Sequence, residues 1–194
     1  MKQVPDTTIV SLGPCRIDSP LGERLHTTRP ADRFVDDGER IVFDDKLADL
    51  VERSLPADQL PSFEKAGARE KIFFDPAKVR VGIVTCGGLC PGMNNVIGGL
   101  VQELRTLYGV RSITGFKNGY QGFIAKYGHS TEDLSDLDVQ DIRNQGGTIL
   151  GTSRGNQDPV EIVDALERDG INILFVIGGD GTMRGADDEQ DVDA

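Results

Sequence analysis

The sequence predicts an α/β fold, a parallel sheet with helices on both faces, preceded by an irregular N-terminal extension. Two observations carry this reading. Nearly continuous apolar runs at residues 79–85 and 171–177 have the β-branched character of strands buried on both faces, and each runs directly into a glycine-rich turn. Between them, segments with apolar residues at helical spacing alternate with further strand candidates over short links, and such alternation implies parallel strands joined by crossover helices.

Residues 1–78 form the extension. There Pro, Asp and short apolar groups alternate without a sustained period; residues 40–43 read as a short strand, and residues 46–55 as a helix with Leu47, Leu50, Val51 and Leu55 on one face. An arm packing on the main domain or on a neighbouring subunit is the reading this supports. Residues 79–186 form the main domain, beginning with the strand at 79–85. Pro91 suits the first turn of the helix that follows, whose apolar residues Val96, Ile97, Leu100, Val101, Leu104 and Leu107 recur at helical spacing. Gly109 ends that helix, and residues 110–116 read as a second strand leaving through the loop 117–122. A polar helix is expected over 138–145, before the loop Gly146 to Gly155. Asp158, Pro159 and Glu161 have the pattern of a capping box with Pro at the first helical position, and Val160, Val163 and Leu166 supply an apolar stripe. Gly170 stops this helix before the strand at 171–177. Residues 187–194 read as an atypical acidic tail in which the expected helix loses its apolar stripe.

Composition narrows the function classes. With 38% hydrophobic and 27% charged residues, the chain has the balance of a soluble globular protein. A net charge of −11 excludes a general attraction to nucleic acid or anionic membrane, so any bound phosphate must be held locally by backbone N–H groups, a few well-placed cations or a metal ion. No run of about 20 apolar residues is present and the start lacks the apolar core of a signal peptide, which gives a cytoplasmic expectation. Three cysteines, Cys15, Cys86 and Cys90, argue against a disulfide framework, and the two histidines, His26 and His129, are too remote in sequence from Cys86 and Cys90 to suggest zinc.

Three glycine-containing turns can carry chemistry. In the turn from Cys86 to Asn94, Gly87 and Gly88 stand where a strand must enter a helix, a place either for a phosphate against bare N–H groups or for a tight turn alone. It has neither the Lys-Ser/Thr of a Walker loop nor the spacing of a dinucleotide fingerprint. In Gly178-Gly179-Asp180-Gly181-Thr182 the carboxylate can hold Mg²⁺ while the glycine N–H groups face phosphate oxygens, or it can cap the next helix. Arg154, between small residues, can reach a phosphate with two hydrogen bonds or stand free on the surface, and Tyr120 can stack on a base or pack.

Four segments in this order, residues 82–94, 118–122, 146–154 and 177–182, closely resemble the phosphofructokinase family, in its long plant- and protist-like branch. The resemblance covers residues 79–186. It implies ATP-dependent phosphorylation of fructose 6-phosphate to fructose 1,6-bisphosphate in glycolysis, with Mg²⁺ as cofactor, in a homo-oligomeric cytoplasmic enzyme that binds neither nucleic acid nor membrane. Position by position, it implies that Gly88 contacts ATP phosphate, that Arg154 and Gly155 line the nucleotide site, and that Gly179, Asp180, Gly181 and Thr182 hold the triphosphate, with Asp180 on Mg²⁺. Gly181 is where pyrophosphate-using relatives carry an aspartate, so the resemblance implies ATP as donor. Gly98 and Gln102 stand where compact bacterial members carry effector-binding arginines, against control of that type. The family's Thr-Ile-Asp-Asn-Asp segment, with its catalytic aspartate, is absent from the 194 residues. The expectation is therefore a donor half with no catalytic base, in a truncated product, a fragment or one piece of a split enzyme. The alternatives are a pyrophosphate-dependent relative, an NAD or lipid kinase with a similar Gly-Gly-Asp-Gly-Thr turn, and a non-catalytic nucleotide-binding subunit.

Overall fold

The computed structural model describes Thr7, residues 11–22 and residues 34–190. The described residues fall into two compact units divided between Phe74 and Asp75. Residues 75–78, expected in the extension, therefore group with the main domain. Residues 191–194 of the acidic tail lie outside the described residues, as does His26.

In the first unit four short strands, β1 (Ile17–Asp18), β2 (Arg40–Val42), β3 (Ser62–Glu64) and β4 (Lys71–Ile72), form two antiparallel ribbons, β1 with β4 and β2 with β3. Side chains fasten the ribbons: Lys71 pairs with Asp18, and the Arg40 guanidinium donates to the Ser62 carbonyl at 2.6 Å. The helix α1 (Leu47–Arg53) is present, yet its apolar residues are not a core face, since Leu47 and Val51 are 74% and 66% exposed.

The second unit is built on a four-stranded sheet of order β7-β6-β5-β8, from β5 (Arg80–Thr85), β6 (Ser112–Phe116), β7 (Thr131–Asp133) and β8 (Ile173–Ile177). Ile83 of β5 stands opposite Gly115 of β6 on one side and Phe175 of β8 on the other, all three strands parallel. The edge strand β7 runs antiparallel to β6, with Phe116 opposite Thr131, so the sheet is mixed rather than wholly parallel. No signal in the sequence marks β7: its Thr-Glu-Asp sequence is polar and exposed throughout, and its pairing comes from the neighbouring strand rather than from its own pattern. β8, expected as a deeply buried strand, lies at the opposite edge with all five residues half-buried.

The α-helices of this unit are α2 (Met93–Glu103), α3 (Val139–Arg143), α4 (Pro159–Asp169) and α5 (Asp180–Gln190). The chain moves from β5 to β6 through α2, then back past β5 to β8 through α4. Right-handed crossovers in opposite lateral directions place these helices on opposite faces. Burial agrees, because the successive residues Ile83 and Val84 are both fully buried, which requires cover on both sides. Val84 lies in one cluster with Phe116, Phe123, Ile162 and Ala165, and the rings of Phe116 and Phe123 stack at 4.2 Å. α2 buries Met93, Ile97 and Val101, a stripe of period close to four, and presses Gly98 against α3, where an added Cβ would stand 2.7 Å from Val139 Cγ1. An arginine cannot occupy position 98 without displacing Val139.

Helix ends follow the sequence signals with small shifts. Asp138 and Asp158 accept from the N–H groups of Gln140 and Val160 at 2.9 and 3.0 Å, and Gly109 and Gly170 close their helices in the left-handed conformation. Among the described residues Glu161 makes no return bond to Asp158, so the capping box is half-formed. The stripe of α4 is Ile162, Val163 and Ala165, while Val160 is exposed. Helix α5 continues through residues 187–190, so the acidic segment is helical where it is described. No helix among the described residues is long and apolar enough to cross a membrane.

Candidate functional site

In an open α/β sheet, a crevice forms beyond the carboxyl ends of the strands where successive crossovers diverge to opposite sides. Here that point lies between β5 and β8. Cys86 N–H donates to the Ile177 carbonyl at 2.8 Å, continuing the β5–β8 ladder by one residue, so the turns from Gly87 and from Gly178 leave the sheet side by side.

The third turn is drawn in by buried polar groups. Thr85 Oγ1 donates to the Gly151 carbonyl at 2.7 Å and lies 2.9 Å from Thr148 Oγ1. Asn94, 2% exposed at the start of α2, donates from Nδ2 to the Gln145 carbonyl at 3.0 Å and accepts from Ile149 N–H at 2.8 Å. Both amide ends of Asn94 are thus spent on the segment 145–151, and Gly87 N–H reaches the Ser153 carbonyl at 3.2 Å. The fourth loop arrives through Asn118, whose N–H donates to the Leu150 carbonyl at 2.7 Å, and through Tyr120, whose hydroxyl donates to the Thr182 carbonyl at 2.8 Å.

These loops enclose a cleft of about 460 Å³. The seven residues that the family resemblance assigns to the nucleotide and its metal all line it, Gly88, Arg154, Gly155, Gly179, Asp180, Gly181 and Thr182, and so does Gly87, while Gly178 does not. Tyr120 lines it as well, so its ring both packs and faces the cleft. Residues not singled out are Cys86, Ser153, Asn156, Gln157, Pro159, Ile162 and Gly185. Pro159 and Ile162 are legible in the sequence as parts of a helix, but the first turn of α4 opens into the cleft only because that helix crosses over β5. Two helix N-termini, those of α4 and α5, therefore meet here, and both favour negative charge.

The glycines separate into two kinds. A Cβ built on Gly178 would collide with Thr182, so that glycine is required by packing. Gly155 sits at φ 95°, a conformation that favours glycine. Gly179 and Gly181 have no neighbour within 4 Å of an added Cβ, and Gly88 has only the Arg154 guanidinium at 3.9 Å. Neither packing nor backbone conformation asks for glycine at these three positions. What their missing side chains leave is open cleft with accessible N–H groups.

Polar groups in the cleft stand uncommitted. Asp180 is the first residue of α5, with Gly179 supplying the carbonyl that accepts from Thr182 and Met183, so Asp180 does not cap the helix. Among the described residues neither the Asp180 carboxylate nor the Arg154 guanidinium has a hydrogen-bond or ion-pair partner. The Thr182 hydroxyl is likewise unpartnered although the residue is only 6% exposed, and burying a hydroxyl without a partner is costly. No group of three or more metal-ligating side chains occurs among the described residues. A single free carboxylate beside open N–H groups suits Mg²⁺ held jointly with phosphate oxygens rather than in an all-protein cage.

Comparison with known proteins agrees with this architecture. The family model described as Phosphofructokinase matches residues 80–191. The chain is 54% identical over 181 residues to the ATP-dependent 6-phosphofructokinase of Amycolatopsis methanolica, covering 93% of this chain and 39% of that protein. It is 46% identical over 185 residues to the ATP-dependent 6-phosphofructokinase of Borreliella burgdorferi, covering 93% of this chain and 40% of the relative. The chain thus spans about two fifths of the length of these curated relatives. Among solved structures, the pyrophosphate-dependent phosphofructokinase of Marinobacter aquaeolei aligns with a TM-score of 0.52 at 17% identity, over 59% of this chain and 30% of that one, a likeness of fold alone. The phosphofructokinase of Pichia pastoris in the T-state aligns with a TM-score of 0.50 at 29% identity, over 67% of this chain and 14% of that one.

Proposed function

The chain belongs to the phosphofructokinase family, and we propose that its cleft is the ATP site of an ATP-dependent 6-phosphofructokinase, the donor side of phosphoryl transfer to fructose 6-phosphate. The observation that carries this is the trio Gly88, Gly179 and Gly181, whose missing side chains serve no packing purpose yet open one cleft between two helix N-termini. In that reading the N–H groups of Gly179 and Gly181 take phosphate oxygens, the Arg154 guanidinium donates to the polyphosphate from across the cleft, and the Thr182 hydroxyl gains the partner it lacks. Ile162 and the Tyr120 ring give the less polar wall on which a base can lie. Asp180 would hold Mg²⁺ together with phosphate oxygens, and the ion would supply charge neutralisation on the transferring phosphoryl group. A glycolytic role belongs to the same proposal, supported by the relatives named ATP-dependent 6-phosphofructokinase, while the cytoplasmic location and a homo-oligomeric enzyme rest on the reading of the sequence alone.

Calorimetric titration of the chain with Mg-ATP tests it. Saturable heat is expected, abolished in Asp180→Ala and weakened in Arg154→Ala by about 1.5–3 kcal/mol, roughly ten- to hundredfold. Absence of saturable heat at millimolar ATP would overturn the reading.

A further inference from the structure

A second cleft, of about 670 Å³, lies at the opposite, amino-terminal edge of β5 and β6. Three arginines from separate parts of the chain line it: Arg80 opens β5, Arg105 comes from the turn that extends α2, and Arg111 precedes β6. Acidic residues outnumber basic ones by 32 to 21 in this chain, so three arginines lining one cleft, none of them ion-paired among the described residues, call for a reason. Arg105 donates to the Leu137 carbonyl at 3.0 Å. The side chains of Arg80 and Arg111 have no hydrogen-bond or ion-pair partner among the described residues.

Two carboxylates share the cleft without neutralising them. Asp133 is committed locally, accepting from Ser135 N–H at 2.9 Å, and Asp136 is within ion-pair distance of none of the three arginines. Hydroxyls complete the lining. Those of Ser112, Thr114 and Thr131 have no described partner, whereas the Ser135 hydroxyl is committed, accepting from Ile113 N–H at 3.0 Å and donating to the Asp133 carboxylate.

We infer that this cleft binds a small phosphate monoester carrying hydroxyl groups, with the phosphoryl oxygens on Arg80 and Arg111 and the hydroxyls on Asp136. A tetrahedral dianion needs several converging donors, which guanidinium forks and hydroxyls supply, whereas a lone carboxylate ligand would use one fork. The volume is within the range of small-molecule sites. Asp136, an acceptor with no internal partner among the described residues, distinguishes a hydroxylated ester from bare phosphate. The site shares no lining residue with the glycine-turn cleft, so it stands or falls apart from the ATP reading.

The test is an NMR titration of the full 194-residue chain with glycerol 3-phosphate, following the arginine Nε–H signals at constant ionic strength, with glycerol as control. Saturable shifts of Arg80 and Arg111 are expected, unchanged in Arg154→Ala. In the double variant Arg80→Ala/Arg111→Ala the apparent affinity should fall about tenfold or more, and Asp136→Asn should lower the preference for glycerol 3-phosphate over inorganic phosphate. Linear, unsaturated shifts, shifts confined to the glycine-turn cleft, or undiminished binding in the double variant would each overturn the assignment. Both arginines are exposed, and circular dichroism of the double variant should match the parent.

Discussion

At the scale of single residues, the glycines show most clearly how packing and function part. Gly181 lies in the first turn of α5 with ordinary backbone geometry and open space where a Cβ would be. Gly181→Ala should therefore stabilise the fold by up to about 1 kcal/mol, since alanine is the better helix former, while weakening ATP binding. A higher urea midpoint together with weaker calorimetric binding is the expected pair of results. Gly82→Ala should behave in the opposite way, because its Cβ would stand 2.9 Å from both Leu174 Cδ1 and Phe116 Cε2. Overpacking there should cost about 1–3 kcal/mol in chemical denaturation. Thr182→Val removes a buried hydroxyl that the fold does not use, so stability should hold within about 0.5 kcal/mol while affinity for Mg-ATP drops.

At the scale of elements, α2 holds the cleft together from behind. Asn94→Ala would leave the Gln145 carbonyl and the Ile149 N–H unpaired, at about 1–3 kcal/mol for each group that water cannot reach. Because the segment 145–151 leads to Arg154, the same variant should also loosen Mg-ATP binding, measurable in one calorimetric series. The turn after β7 offers a pH test. Hydrogen bonds from Ser135, its backbone N–H first, hold the Asp133 carboxyl below the usual aspartate range. A carboxyl depressed in the folded state stabilises at neutral pH and loses that contribution as pH falls through its folded value. Asp133→Asn should flatten the acid side of the stability profile, and an unchanged profile would show the bond to be inconsequential. Elements with an apolar period or a cap residue were legible in the chain: β5, α2 with its closing Gly109, and α4 behind Asp158. β7 was not, since three exposed polar residues have no pattern of their own and owe their strand geometry to register with β6.

At the scale of the whole molecule, β8 is paired on one edge only among the described residues, and its apolar residues are all half-buried. An open apolar edge favours pairing with another chain, and charge opposes it. With a net charge of −11, copies of this chain repel one another over about 30 Å at 0.01 M salt but only about 8 Å at 0.15 M. Sedimentation should show the average mass rising with salt, and a constant mass would mean that the edge is protected.

The sequence by itself determined the local conformations and the family: strand runs that end in glycine turns, helices bounded by Asp158 and Gly170, and a Gly-Gly-Asp-Gly-Thr turn with its companions. Those signals are one-dimensional, because φ restrictions, caps and apolar spacing act within a few residues. Only the tertiary structure decided that Gly88, Arg154 and Gly181 face one cleft, and that Gly178 is structural where Gly179 is not. It also decided that β8 lies at an edge, and that Arg80, Arg105 and Arg111 share a second cleft. Each of these depends on which strands are neighbours and on which face each crossover helix lies, and spacing along the chain does not encode a distance across a sheet.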